Sequence, residues 1–103
     1  MVLAIFKYDV QPGCMPHFMA KLQAAGDAKF NSPVMPRSVR LFRSTVPGPD
    51  TGPVILMIEY ADMAAYGART AFENSNSEWK KLFAVQADSP ETLISVELLT
   101  EFQ

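Results

Sequence analysis

At 103 residues and a formal net charge of −2, the chain carries nine basic side chains among eleven acidic ones, too evenly mixed to form a stripe that tracks phosphates. Nucleic acid and an anionic membrane surface are therefore excluded as expected partners. The hydrophobic fraction of 49% is high for so short a chain, because a domain of this size buries only about two thirds of the surface its unfolded form exposes. Apolar surface covered by another subunit is the simplest consequence.

Cys14 is the only cysteine, so no intramolecular disulfide can form and a reducing compartment, the cytoplasm, is expected. The opening MVLAIFKYDV has no basic region before its apolar run and no small-residue cleavage site after it, unlike a signal peptide. No apolar run reaches the ~18–20 residues of a membrane-spanning helix, so no membrane insertion is expected. The length predicts one domain over residues 1–103.

Residues 2–10 are rich in β-branched and aromatic side chains and stop at Gln11-Pro12-Gly13, which predicts a strand ending in a turn. From Cys14 to Phe30 the apolar residues Met15, Phe18, Met19, Leu22, Ala25 and Phe30 recur at helical spacing. His17 and Lys21 fall opposite them. Pro16 is tolerated in the first turn, where its missing N–H costs nothing. Pro33 and Pro36 then make residues 31–36 a loop.

Residues 37–46 alternate, with Val39 and Leu41 pointing one way and Arg40, Phe42 and Ser44 the other. The turn formers PGPDTGP, 47–53, make a long hairpin tip before a strand over Val54–Tyr60. Asp62 is placed as the N-cap of a helix that runs to Glu73. After a break at Asn74 and Ser75, the capping box Ser75-Asn76-Ser77-Glu78 opens another helix, with Trp79, Leu82, Phe83 and Gln86 on one side. Asp88-Ser89-Pro90 ends it. Residues 92–102 form the last strand, with Ile94, Val96, Leu98 and Phe102 on one face and Leu93 and Leu99 on the other.

The expected fold is thus α+β: a ferredoxin-like βαββαβ chain with a four-stranded antiparallel sheet, helices on one face, and a second crossover helix broken in two. The first, third and fourth strands are apolar on both faces, yet helices cover only one. A homodimer pressing sheet against sheet follows.

The run Tyr8-x-x-x-Pro12-Gly13, the segment Ile58-Glu59-Tyr60, the helix around Tyr66, Ala68 and Arg69, and Asn76-x-Glu78-Trp79 with Leu82 together resemble the NIPSNAP family of the dimeric α/β-barrel superfamily. The resemblance spans nearly the whole chain and implies the same homodimer. It also implies a range of functions: cofactor-independent mono-oxygenases of polycyclic aromatic compounds, haem-degrading mono-oxygenases, lactone isomerases and proteins without assigned activity. Fold likeness does not choose among these. The haem-degrading relatives use an asparagine on the first strand together with a tryptophan and a histidine, and residues 2–10 contain no asparagine.

Trp79 leads Leu82 and Phe83 at the spacing with which a helix docks on a sheet, so it is expected in the core. His17 has no second histidine and reads as a solvated helix residue. Cys14 lies three residues away, and no metal-ligand set forms around the pair. No cofactor is expected.

The candidate ligand-binding residues are Tyr8, Arg40, Phe42, Tyr60, Tyr66 and Arg69. With Phe6, the aromatic members would line a cleft between sheet and helices in which Arg40 or Arg69 holds a carboxylate or enolate of a small organic ligand. The structural alternatives are a buried pair of Arg40 with Glu59 or Glu97, and an Arg69 that snorkels to solvent. Two functions follow: a ligand-binding or interaction module, or a cofactor-independent mono-oxygenase or isomerase acting on a planar organic substrate.

Overall fold

A computed structural model describes residues 1–46 and 54–102. The predicted hairpin tip at 47–53 lies outside the described residues. Strand β1 runs Val2–Val10 and ends in a turn where Gly13 takes φ +80°, a conformation that side chains with a Cβ rarely adopt. Helix α1 covers Met15–Ala25, with a proline in its first turn. It is shorter than the periodicity predicts. The Gly26 and Asp27 amides donate to the Gln23 and Ala24 carbonyls, and the Asp27 carboxylate accepts from the Lys29 amide to start a separate 3₁₀ turn over Ala28–Phe30.

Strand β2, Ser38–Arg43, and strand β3, Val54–Tyr60, form the hairpin. Helix α2 spans Met63–Ser75 behind the Asp62 cap, whose carboxylate accepts from the Ala65 amide at 2.8 Å. Helix α3 covers only Ser77–Leu82. Its cap is Asn76, which accepts from the Trp79 amide, whereas Ser75 turns back to the Phe72 carbonyl. The expected capping box therefore sits one residue early. The helix also stops well before Pro90: the Gln86 amide donates to the Ser89 hydroxyl instead of continuing a helical ladder. Strand β4 runs Glu91–Thr100, leaving Phe102 beyond it and fully exposed.

The sheet order is β2-β3-β1-β4, with every neighbour antiparallel and the helices on one face: a ferredoxin-like α+β fold. Register assigns each strand's faces, because directly paired residues point the same way. Val2, Ala4, Phe6 and Tyr8 share the helix-side face with Tyr60, Ile58, Leu56 and Val54. A bulge opposite Lys7 and Tyr8 places Leu93 on that face together with Val96 and Leu98. Simple alternation predicts Leu93 on the opposite face from them. One extra residue in a strand reverses all sides beyond it.

Two core clusters form on the helix side. At one end of β1, Phe18 of α1 packs on Tyr8, Val54 and Leu56; at the other, Ala65 and Tyr66 of α2 pack on Val2, Ala4 and Tyr60. Phe6 and Ile58 touch both clusters and are fully covered by neither. The floor between the two helices is thereby left open.

Candidate functional site

That opening is a cleft of about 1160 Å³. Its floor is Phe6, Leu56 and Ile58, continued by Val39 and Leu41 of β2 and Leu93 of β4, and its roof includes Met19 and Leu22 of α1 with Trp79 and Phe83. The volume lies slightly above the range typical of sites that enclose small organic ligands, and the mostly apolar lining with a few polar groups fits the same pattern.

Trp79 belongs to the cleft wall rather than the core. It is half-buried, edge-on to Phe30 at 5.2 Å between ring centroids and tilted against Phe83 at 4.9 Å. The predicted stripe is cut short, since Phe83 caps the helix and Gln86 lies beyond it, and the six-residue helix packs against α1 and α2. Its aromatic face is left to border the open space.

Arg69 does not snorkel. It is 3% exposed on α2 and lines the cleft. Nε donates to Glu73 at 2.9 Å, and Nη1 to the Phe30 carbonyl at 2.6 Å, the Ser32 hydroxyl at 3.1 Å and the Met35 sulfur at 3.3 Å. The guanidinium also lies over Phe72 and Trp79, 4.8 and 5.2 Å from their ring centroids. One side chain thus ties α2 to the 30–35 loop and to α3. Burial pushes the Glu73 carboxyl up, and the Arg69 hydrogen bond and charge pull against that rise.

Tyr8 and Tyr60 also line the cleft, 8% and 3% exposed. Tyr66 packs edge-on against Tyr60 at 5.4 Å and serves the core cluster, outside the cleft lining. Arg40 and Phe42 lie on the far side: they pair with Met57 and Ile55, whose side chains face away from the helices. Arg40 sits 5.6 Å over the Phe42 ring there. Among the six candidates, the fold gathers Tyr8, Tyr60 and Arg69 at the cleft and sends Arg40 and Phe42 to the opposite face. The carboxylates considered for Arg40 have other partners: Glu59 pairs with Arg37 and Glu97 with Lys7.

One polar feature has no trace in the periodicity. Lys21, assigned by its spacing to the solvated face of α1, reaches Glu91 at 2.9 and 3.0 Å, each side chain 9% exposed, and lies over the Phe83 ring at 5.6 Å. Seventy residues separate the partners. Only the apposition of α1 with the start of β4 brings them together. His17 is exposed, so no imidazole lines the cleft for a haem iron. Among the described residues no three His, Cys, Asp or Glu side chains gather as a metal site, and no helix is long and apolar enough to cross a membrane.

Burial, aided by the charge of Glu91 at Tyr8 and of Glu73 at Tyr60, pushes both phenols from 10 up to about 12. Between those pH values the native state holds protons that the unfolded chain has released. Stability is therefore fully present below pH 10 and falls as pH rises toward 12. An ultraviolet phenolate titration is expected to show both groups ionising near pH 12, with urea midpoints falling across the same window. The Tyr8→Phe, Tyr60→Phe double variant should flatten that fall.

No protein-family model matches the sequence, and no curated protein matches it. Solved structures do. A NIPSNAP domain protein from Burkholderia xenovorans is 15% identical over 99% of this chain and 95% of its own, with a TM-score of 0.70. A NIPSNAP-like domain protein from the same organism is 20% identical over 98% and 84%, with a TM-score of 0.67. A protein assigned as an antibiotic biosynthesis monooxygenase from Bordetella bronchiseptica is 21% identical over 99% and 97%, with a TM-score of 0.64. At these identities the likeness is one of fold.

Proposed function

We propose that the protein is a ligand-binding module that holds a planar organic molecule in the cleft between sheet and helices, and that it works as a homodimer. The observation carrying the first part is the cleft itself, an apolar floor of Phe6, Leu56 and Ile58 facing the aromatic wall of Trp79 and Phe83, with buried Arg69 at its edge. An interaction module without a ligand has no need of such a volume. The second part rests on the other face of the sheet. Leu3, Ile5, Ile55, Met57 and Leu99 point away from the helices there. A second copy would cover them, sheet against sheet, completing a dimeric α/β barrel.

The alternative is a cofactor-independent mono-oxygenase or isomerase, favoured by the likeness to an assigned monooxygenase. The cleft residues that could carry protons make it the second reading. Glu73 and Glu91 are each tied to a cation, and Tyr8 and Tyr60 keep their protons up to about pH 12. They suit holding and orienting a substrate better than abstracting a proton from it.

Native mass spectrometry of freshly purified protein addresses both parts. The expected ion has twice the 11.4 kDa chain mass with a small organic molecule retained, or acquired on incubation with biphenyl-4-carboxylate. A monomer contradicts the dimer; a mass that stays bare after incubation contradicts the binding module.

A further inference from the structure

Tyr8 and Tyr60 are more than nine-tenths buried, yet neither hydroxyl has a hydrogen-bond partner among the described residues. No fully buried side-chain oxygen or nitrogen in the described structure lacks a partner, so both hydroxyls must retain contact with open space, and both residues line the cleft. A buried phenol that keeps its proton and meets no acceptor of its own chain is a donor left for something else.

The two lie at opposite ends. Tyr60 is paired with Val2, and Tyr8 stands six residues further along β1, a separation of about 20 Å at the rise of an extended strand. Phe6, Leu56 and Ile58 make the floor between them. The polar groups around the two donors differ. At the Tyr60 end stands Arg69, paired through Nε with Glu73 and through Nη1 with the 30–35 loop, while its Nη2 makes no hydrogen bond among the described residues. At the Tyr8 end stands Glu91, with Lys21 held against it through both carboxylate oxygens. Each end thus pairs one basic with one acidic side chain, and the difference lies in the donors left over: Arg69 keeps Nη2 for an anionic oxygen, whereas the Lys21 ammonium is committed to Glu91.

Building on the cleft-binding reading, we propose that the ligand is an elongated, largely apolar molecule with an oxygen acceptor at each end: an anionic oxygen met by Tyr60 and Arg69, and a neutral carbonyl met by Tyr8. A single small ring cannot reach both donors. A molecule of three linked rings spans that distance and can lie along the floor and under Trp79 and Phe83, using both hydroxyls at once.

Three probes separate the ends: 4″-acetyl-p-terphenyl-4-carboxylate, which carries both groups, biphenyl-4-carboxylate and 4-acetylbiphenyl. Binding is read from the emission of Trp79, the only tryptophan, and checked by calorimetry. Tyr8→Phe is expected to weaken both ketone probes about 5-fold and to leave biphenyl-4-carboxylate unchanged. Tyr60→Phe should weaken both carboxylate probes about 10-fold or more and leave 4-acetylbiphenyl unchanged. Each variant keeps the ring that packs on Phe18 or Tyr66, and a cooperative thermal transition confirms its fold. If the probes bind but both variants affect all three alike, or none, the two-ended ligand is overturned while the binding cleft stands. If no probe binds the unaltered protein, the cleft reading falls and takes this inference with it.

Discussion

Phe18→Ala is expected to lower the unfolding free energy by about 3–5 kcal/mol, a large share of what a domain of this size possesses. Phe18 is fully buried, and its ring meets Tyr8 at 5.0 Å over a floor of Val54 and Leu56. It is the principal buried contact holding α1 to the sheet, so truncation leaves a cavity that the strands cannot close. Phe18→Leu, which keeps much of the volume, should cost far less. Urea denaturation at a fixed protein concentration separates the two variants, and equal midpoints for both would contradict the packing described.

Arg69→Met is expected to cost about 3 kcal/mol, the low end for breaking a buried pair, because Glu73 is partly exposed. The loss comes less from the missing attraction than from what remains: a carboxylate and the Phe30 carbonyl, desolvated and without their donor. For a chain of this length it lowers the melting temperature by roughly 10–25 °C. Replacing both members, Arg69→Met with Glu73→Leu, should recover much of the deficit, since the stranded charge is then gone. A double variant as unstable as the single one would show that Arg69 acts mainly through the 30–35 loop. Either variant should also weaken the 30–35 loop's hold on α3, because the guanidinium bridges the Phe30 carbonyl and the Trp79 ring.

The strands were legible where local chemistry marks both ends. β1 closes at Gln11-Pro12-Gly13, and β3 runs to Tyr60 just ahead of the Asp62 cap, so their predicted and observed limits coincide. Periodicity fails where tertiary contacts decide. The bulge in β4 adds a residue that a period-two pattern cannot reveal, and so reversed the predicted side of Leu93. Alternation puts Arg40 and Phe42 on one strand face, but which face meets the helices depends on pairing with Met57 and Ile55. The spacing of Trp79 predicts docking on the sheet; the shortness of α3 makes it a cleft wall instead.

The polar members of the cleft were the least legible. Arg69 draws its partners from Phe30 and Ser32, 39 and 37 residues away, and Lys21 meets Glu91 across 70 residues. A lone basic residue on an amphipathic helix gives no local sign of such a partner. Tyr8 and Tyr60 could be anticipated as aromatic lining from their strand positions, but their unpartnered hydroxyls emerge only once every neighbouring acceptor is in place.

A ¹H–¹⁵N titration with biphenyl-4-carboxylate tests the binding cleft most directly. Saturable shifts are predicted at the Trp79 indole N–H and at the amides of Phe6 and Ile58, the floor left open between the two core clusters. No saturable shift at any of these positions, or shifts confined to Arg40, Phe42 and the other residues of the opposite sheet face, would contradict it.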